Sequence, residues 1–132
     1  LLTAQIEPVE SSPPASARWA QWSEEAVATA QAEGRAVFVD FTASWCVSCQ
    51  INKLGTLNDA DVKTVFDTEN VALFRADFTN HDPVIAEALA RHGSAGVPLY
   101  LVYPAGGGAP EVLPPLLTKK IVIQSVERAV EA

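Results

Sequence analysis

The sequence has no methionine, only two histidines and two cysteines, and 9 basic against 16 acidic residues in a chain of 132. Each shortage excludes something. Two cysteines are too few for the disulfide-dense framework of small secreted scaffolds. At 48% hydrophobic content the chain is long enough to bury a core without one. The formal charge of −7, with no basic stripe to track a phosphate backbone, argues against nucleic acid as a partner. Long apolar runs are missing as well. A stretch such as Val97 to Tyr103 falls far short of the roughly 20 residues a membrane helix needs, and no basic segment followed by an apolar one opens the chain as a secretory leader would. A soluble piece with no direct membrane insertion is expected. The start at Leu1, with no methionine anywhere, reads as a processed chain or a piece of a longer protein, any targeting or membrane segment lying outside it.

What is present divides into an arm and one domain. Residues 1–17, "LLTAQIEPVESSPPASA", mix Pro, Ser and Ala without periodicity, the composition of a flexible linker. The domain is expected over residues 18–132. Ser23 followed by Glu24 and Glu25 predicts a helix start, with Gly34 as its stop. Ala36 to Phe41 reads as a strand buried on both faces, although it carries an acid, Asp40. Gln50 to about Leu57 is expected to be helical, and Asn58 or Asp59 caps another helix through Phe66. Val71 to Ala76 is the second buried strand. Asp82 and Pro83 open a helix that ends at His92 before Gly93. Leu99 to Tyr103 and Glu111 to Leu113 form a hairpin across a Pro/Gly turn. Thr118 caps a last helix in which Ile121, Val122, Ser125, Val126, Ala129 and Val130 share a face. Helices alternating with strands, then a hairpin, argue an α/β layer fold with a mixed central sheet flanked by helices.

Both cysteines lie in "FTASWCVSCQ", Cys46 and Cys49, directly after the first buried strand. Three chemistries compete for them. A structural zinc site would need four ligands, and His81 and His92 are separated by ten intervening residues rather than the three to five of finger-like sites. A soft-metal site for Cu(I) would use the two thiolates alone. A structural disulfide closing so short a loop removes little chain entropy and adds little stability. The position suits reactivity better. At a strand end and helix start, unpaired N–H groups and the helix dipole favour a Cys46 thiolate and lower its pKa. Cys49, one turn in, stays a buried thiol within reach of a mixed disulfide.

Such a thiol needs a proton acceptor, and Asp40 is the candidate. A carboxyl in an apolar strand is costly unless protonated or paired, and burial raises its pKa into a useful range. The plainer alternative is an acid at a sheet edge paired with Lys53 or Arg75. Trp45, a large ring beside the first thiol, is read as a shield and contact surface. On base rates alone the Val97–Pro98 bond would be trans. Neither His81 nor His92 is given a role, both being expected at surface helix ends.

Trp45-Cys-Val-Ser-Cys49, Asp40 six residues before the first cysteine, and Gly96-Val-Pro98 together resemble the thioredoxin superfamily. The resemblance implies a thioredoxin-like fold and a redox-active Cys46–Cys49 disulfide with no other cofactor and no metal. It also implies a cis Pro98 beside the cysteines and a Val97 backbone that pairs with a partner's extended chain. "FVDFTASWCVSCQINK", "LFRADFTNHDP" and "GVPLYLVYPAGG" resemble more closely the C-terminal periplasmic domain of the DsbD and ScsB membrane thiol:disulfide interchange proteins. In that family the domain takes electrons from a membrane-embedded dithiol and passes them to periplasmic disulfide-containing partners. That likeness implies a periplasmic location, tethered to the inner membrane through the arm. Cys46 is then the attacking thiol, Cys49 the resolving thiol and Asp40 its base, with Trp45, Val47, Ser48, Val97 and Pro98 contacting partners.

One position departs from the family. Lys53 stands four places after Cys49, where an acid is usual, and a cation there is expected to favour the thiolate and make the pair less reducing. Two other readings remain open on sequence: a free-standing periplasmic reductase of the cytochrome c maturation type, and a Cu(I)-binding or chaperone-like module.

Overall fold

The structure, a computed structural model, describes residues 18–131; the arm read over residues 1–17, and Ala132, lie outside the described residues. The strands are β1 (Ala20–Gln21), β2 (Val37–Thr42), β3 (Ala72–Asp77), β4 (Leu99–Tyr103) and β5 (Glu111–Leu113). The helices are α1 (Glu24–Ala32), α2 (Val47–Leu54), α3 (Ala60–Thr68), α4 (Pro83–Arg91) and α5 (Lys119–Glu131). The sheet runs β1-β3-β2-β4-β5, with β1 and β2 parallel to β3, β4 antiparallel to β2, and β5 antiparallel to β4. This is the mixed, helix-flanked sheet that the alternation of elements implies.

Strand periodicity builds two cores, one on each face. Val37, Val39, Phe41, Ala72, Leu99 and Leu101 pack with α1, α4 and both cysteines. Phe38, Leu73, Tyr100 and Val102 pack with α3 and α5. Every residue of β2 is buried, because a strand central to the sheet has neighbours on both sides and helices on both faces.

Local signals work as expected at most boundaries. The Ser23 hydroxyl accepts from Ala26 N at 3.0 Å, and the Asp82 carboxylate accepts from Val84 N and Ile85 N ahead of Pro83. Gly34 and Gly93 close α1 and α4 at φ +82° and +74°, a conformation that other residues adopt at a cost.

Two boundaries differ from expectation. The helix placed over Gln50 to Leu57 begins at Val47 and ends at Leu54, followed by a 3-10 turn over Thr56–Asn58. It starts early because Cys46 is its N-cap: Sγ accepts from Cys49 N, an unusual cap that sequence patterning does not flag. Strand β1 was not anticipated at all. Two residues are too few to show a period, and β1 is defined by its pairing with β3, which Trp22 N extends by donating to Arg75 O at 2.9 Å, with the Arg75 guanidinium lying 4.1 Å over the Trp19 ring.

Candidate active site

Strand β2 delivers its C-terminal end to a short loop, Ala43 to Trp45, that hands the chain to α2 at Cys46. The loop is held from three directions. Cys46 N and Gln50 Nε2 both donate to Ala43 O, at 3.1 and 3.0 Å. Ser44 N donates to Thr79 Oγ1 at 2.9 Å, and Trp45 Nε1 donates to Thr79 O at 3.0 Å. Thr79 is fixed in turn by Asp77, whose carboxylate accepts from both the Thr79 amide and hydroxyl. Those two bonds hold the Asp77 carboxyl below its ordinary pKa.

Cys46 and Cys49 are joined as a disulfide with Cα atoms 5.2 Å apart. Cys46 Sγ accepts from Cys49 N at 3.2 Å and lies 3.7 Å from the Ser48 hydroxyl. The pair is graded in exposure as expected, Cys46 at 7% and Cys49 at 1%. A reduced Cys46 would carry its negative charge at the positive end of α2, next to a backbone donor already aimed at it.

The Val97–Pro98 peptide is cis, as the resemblance implied and base rates did not. Val97 packs against the cluster that contains both cysteines. Val47 and Ser48 are exposed, as contact residues would be. Trp45 is 52% exposed, so it covers the pair less than a shield would. Its ring stacks on His81 with centroids 5.5 Å apart and 12° between planes, and Phe78 backs both. His81 therefore sits beside the site, although sequence reasoning gave it no role. It is exposed at φ +57° immediately before Asp82, the N-cap of α4, at the surface helix end where it was expected.

Asp40 is 1% exposed and central in the sheet, so the sheet-edge alternative fails. The pairing half of that alternative holds, with Arg75. Register places the two residues opposite each other on adjacent strands, and Arg75 Nε donates to Asp40 Oδ2 at 3.0 Å. Burial raises the Asp40 pKa, against the opposing hydrogen bond and charge of Arg75 and the charge of Lys53. Asp40 Oδ1 is buried with no partner among the described residues. Lys53 is half-buried and makes no ion pair with Asp40; it lines, with Thr42, Arg75, Asp77 and Thr79, a pocket of about 260 Å³. Among the described residues no group of three or more His, Cys, Asp and Glu side chains gathers as a metal cage.

A thioredoxin-like family model matches residues 18–105, from Arg18 ahead of β1 to the turn after β4. The chain belongs to the thioredoxin-like family. The thiol:disulfide interchange protein DsbD of Ralstonia nicotianae is 37% identical over 84 residues, 64% of this chain and 14% of that protein. DsbD 1 of Pseudomonas aeruginosa is 32% identical over 82 residues, 62% of this chain and 14% of that one. The chain thus spans about a seventh of the length of the curated relatives it matches. The crystal structure of the Neisseria meningitidis DsbD C-terminal domain in the oxidised form superposes with a TM-score of 0.65 at 26% identity, covering 83% of this chain and 99% of that one.

Within this thioredoxin-like frame the dithiol and the Val97–Pro98 loop were legible as motifs; the Cys46 cap of α2 was not. Nor were Thr79 and His81, because each reaches the site through loop closure, and Arg75 stood only as one of two possible partners of Asp40, a choice that strand register decides. The one available signal was a lone arginine in an apolar strand, which needed a partner.

Proposed function

We propose that this chain is a thiol:disulfide oxidoreductase domain working as a protein-disulfide reductase. The observation that carries the reading is the Cys46–Cys49 disulfide capping α2, with the less buried sulfur first and the more buried one a turn behind. In the reductive cycle the Cys46 thiolate attacks a partner disulfide. A Cys46–partner bond forms, the partner S–S bond breaks, and the partner's other sulfur leaves as a thiolate that takes a proton from solvent. Cys49 then passes its proton to Asp40 and attacks Cys46 Sγ. The internal disulfide forms and the partner leaves with two electrons.

The DsbD relatives support a place for that cycle: electrons come from a membrane-embedded dithiol domain of the same protein and go to periplasmic disulfide-bearing proteins, with the domain tethered to the inner membrane. Trp45, Val47, Ser48, Val97 and Pro98 are the contact residues in this reading. Lys53 tunes the acid: its charge favours an ionised, proton-accepting Asp40.

The test is the reduction potential of the pair, read from tryptophan fluorescence in dithiothreitol or glutathione buffers, with Cys46→Ser as the redox-dead control. A value near the roughly −270 mV of thioredoxin, or modestly above it, is expected of a donor. A value near about −120 mV would make the domain an oxidant. A pair that does not cycle sinks the proposal.

A further inference from the structure

A base buried as completely as Asp40 has to lose its proton again, and its surroundings leave few routes. Oδ2 is occupied by Arg75, whose guanidinium donates and has no acceptor to offer a proton. The Tyr100 hydroxyl, opposite Asp40 on β4, accepts from Asn52 Nδ2 at 2.9 Å, and burial together with the Asp40 charge makes it a poorer acid than an ordinary tyrosine. The free side is Oδ1. Two residues along β2, on the same face of the strand, stands Thr42, 4% exposed. Its Oγ1 is also buried without a partner among the described residues. Buried polar oxygens are nearly always paired, so a carboxyl and a hydroxyl oxygen left unpaired on one strand face ask for a reason. Thr42 also lines the pocket of about 260 Å³ between the end of β2, β3 and α2, whose walls include Lys53, Arg75 and Asp77. Such a volume admits several waters at roughly 30 Å³ each.

We propose that Thr42 is the proton relay between Asp40 and that solvent pocket. The inference rests on the reading of Asp40 as the acceptor for the Cys49 proton. When Cys49 attacks Cys46, its proton moves to Asp40 Oδ1. The two oxygens make no direct hydrogen bond, so the carboxylic acid gives its proton through one buried water to Thr42 Oγ1, as the threonine releases its own hydroxyl proton to water in the pocket. The sequence runs in reverse when the domain is reduced. No electrons move in the relay, and the hydroxyl is regenerated each time because it both donates and accepts. Lys53 and Arg75 at the pocket wall keep the released proton from lingering there.

The measurement is the rate at which a preformed mixed disulfide at Cys46 resolves, by stopped flow in H₂O and D₂O across pH, for wild type, Thr42→Val, Thr42→Ser and Asp40→Asn. Thr42→Val keeps the shape and removes the hydroxyl. It should slow resolution about a hundredfold, at the low end of the roughly 10²–10⁴-fold range of proton-transfer contributions, with a larger solvent isotope effect than wild type and an unchanged reduction potential. Thr42→Ser should behave as wild type. Resolution by Thr42→Val at the wild-type rate and isotope effect, while Asp40→Asn is slow, overturns the relay and leaves Asp40 as the base. So does a serine variant as slow as the valine. A fast Asp40→Asn removes both the base and the relay.

Discussion

Asp40 places an acid where the fold would rather have a neutral group. Its folded-state pKa is raised by burial, so the native state holds its proton to higher pH than the unfolded chain does. Below about pH 3.9 both states are protonated and Asp40 costs nothing by ionising. As pH rises through the window up to the folded pKa, the unfolded state ionises first and stability is lost, and above that window the loss is complete. Asp40→Asn should therefore unfold at a higher denaturant concentration than wild type at pH 8, and the advantage should vanish near pH 3. Equilibrium unfolding at the two pH values decides it; a variant less stable at pH 8 would mean that the Arg75 bond outweighs desolvation. Arg75, with 27% of its side chain exposed, can be hydrated when its partner loses its charge.

At the scale of elements, α2 has two unlike faces. Inward, Asn52 is 2% exposed and donates to Tyr100 Oη and Pro115 O while accepting from Leu117 N, tying the helix to β4 and to the segment before α5. Outward, Val47, Ile51 and Leu54 recur at helical spacing with 73, 59 and 74% exposure, and Leu116 stands exposed on the segment that Asn52 anchors. Asn52→Ala should cost about 2 to 3 kcal/mol, since it strands several buried polar groups. Leu54→Ser should change stability by no more than about 0.5 kcal/mol. If the outer face touches partners beside Cys46, Leu54→Ser lowers turnover of a protein disulfide and leaves reduction by dithiothreitol unchanged. Denaturant midpoints and the two assays separate the cases, and equal loss in both assays would assign α2 a structural role only.

For the whole molecule, the excess of seven acidic charges sets how partners arrive. Long-range attraction raises association rates for ligands of opposite sign and is screened within about 10 Å at 0.1 M salt. A basic peptide disulfide should therefore be reduced about tenfold faster than an acidic one of matched sequence at about 10 mM salt, the ratio falling toward unity at about 0.5 M. A salt-independent ratio would confine recognition to the contact surface. The surface ion pairs contribute little to this balance or to stability. Arg128 with Glu111 and Lys119 with Asp61 are exposed, where water and salt screen the attraction.

The layer order, the two buried strands, most helix caps and the dithiol motif were determined by the sequence itself, because each depends on neighbours a few positions apart: alternation along a strand, a capping side chain three residues from its amide, two cysteines a helical turn apart. Tertiary structure alone decided the rest. That Asp40 meets Arg75 rather than Lys53 is a matter of which residues stand opposite when β2 and β3 pair. That His81 stacks on Trp45 follows from a loop folding back from β3 over the helix start. Strand β1 is defined by its pairing with β3, which Trp22 extends by donating to the Arg75 carbonyl. Contacts between residues 35 or more positions apart leave no local period, so register, loop closure and burial had to be seen in three dimensions before the acid acquired its partner.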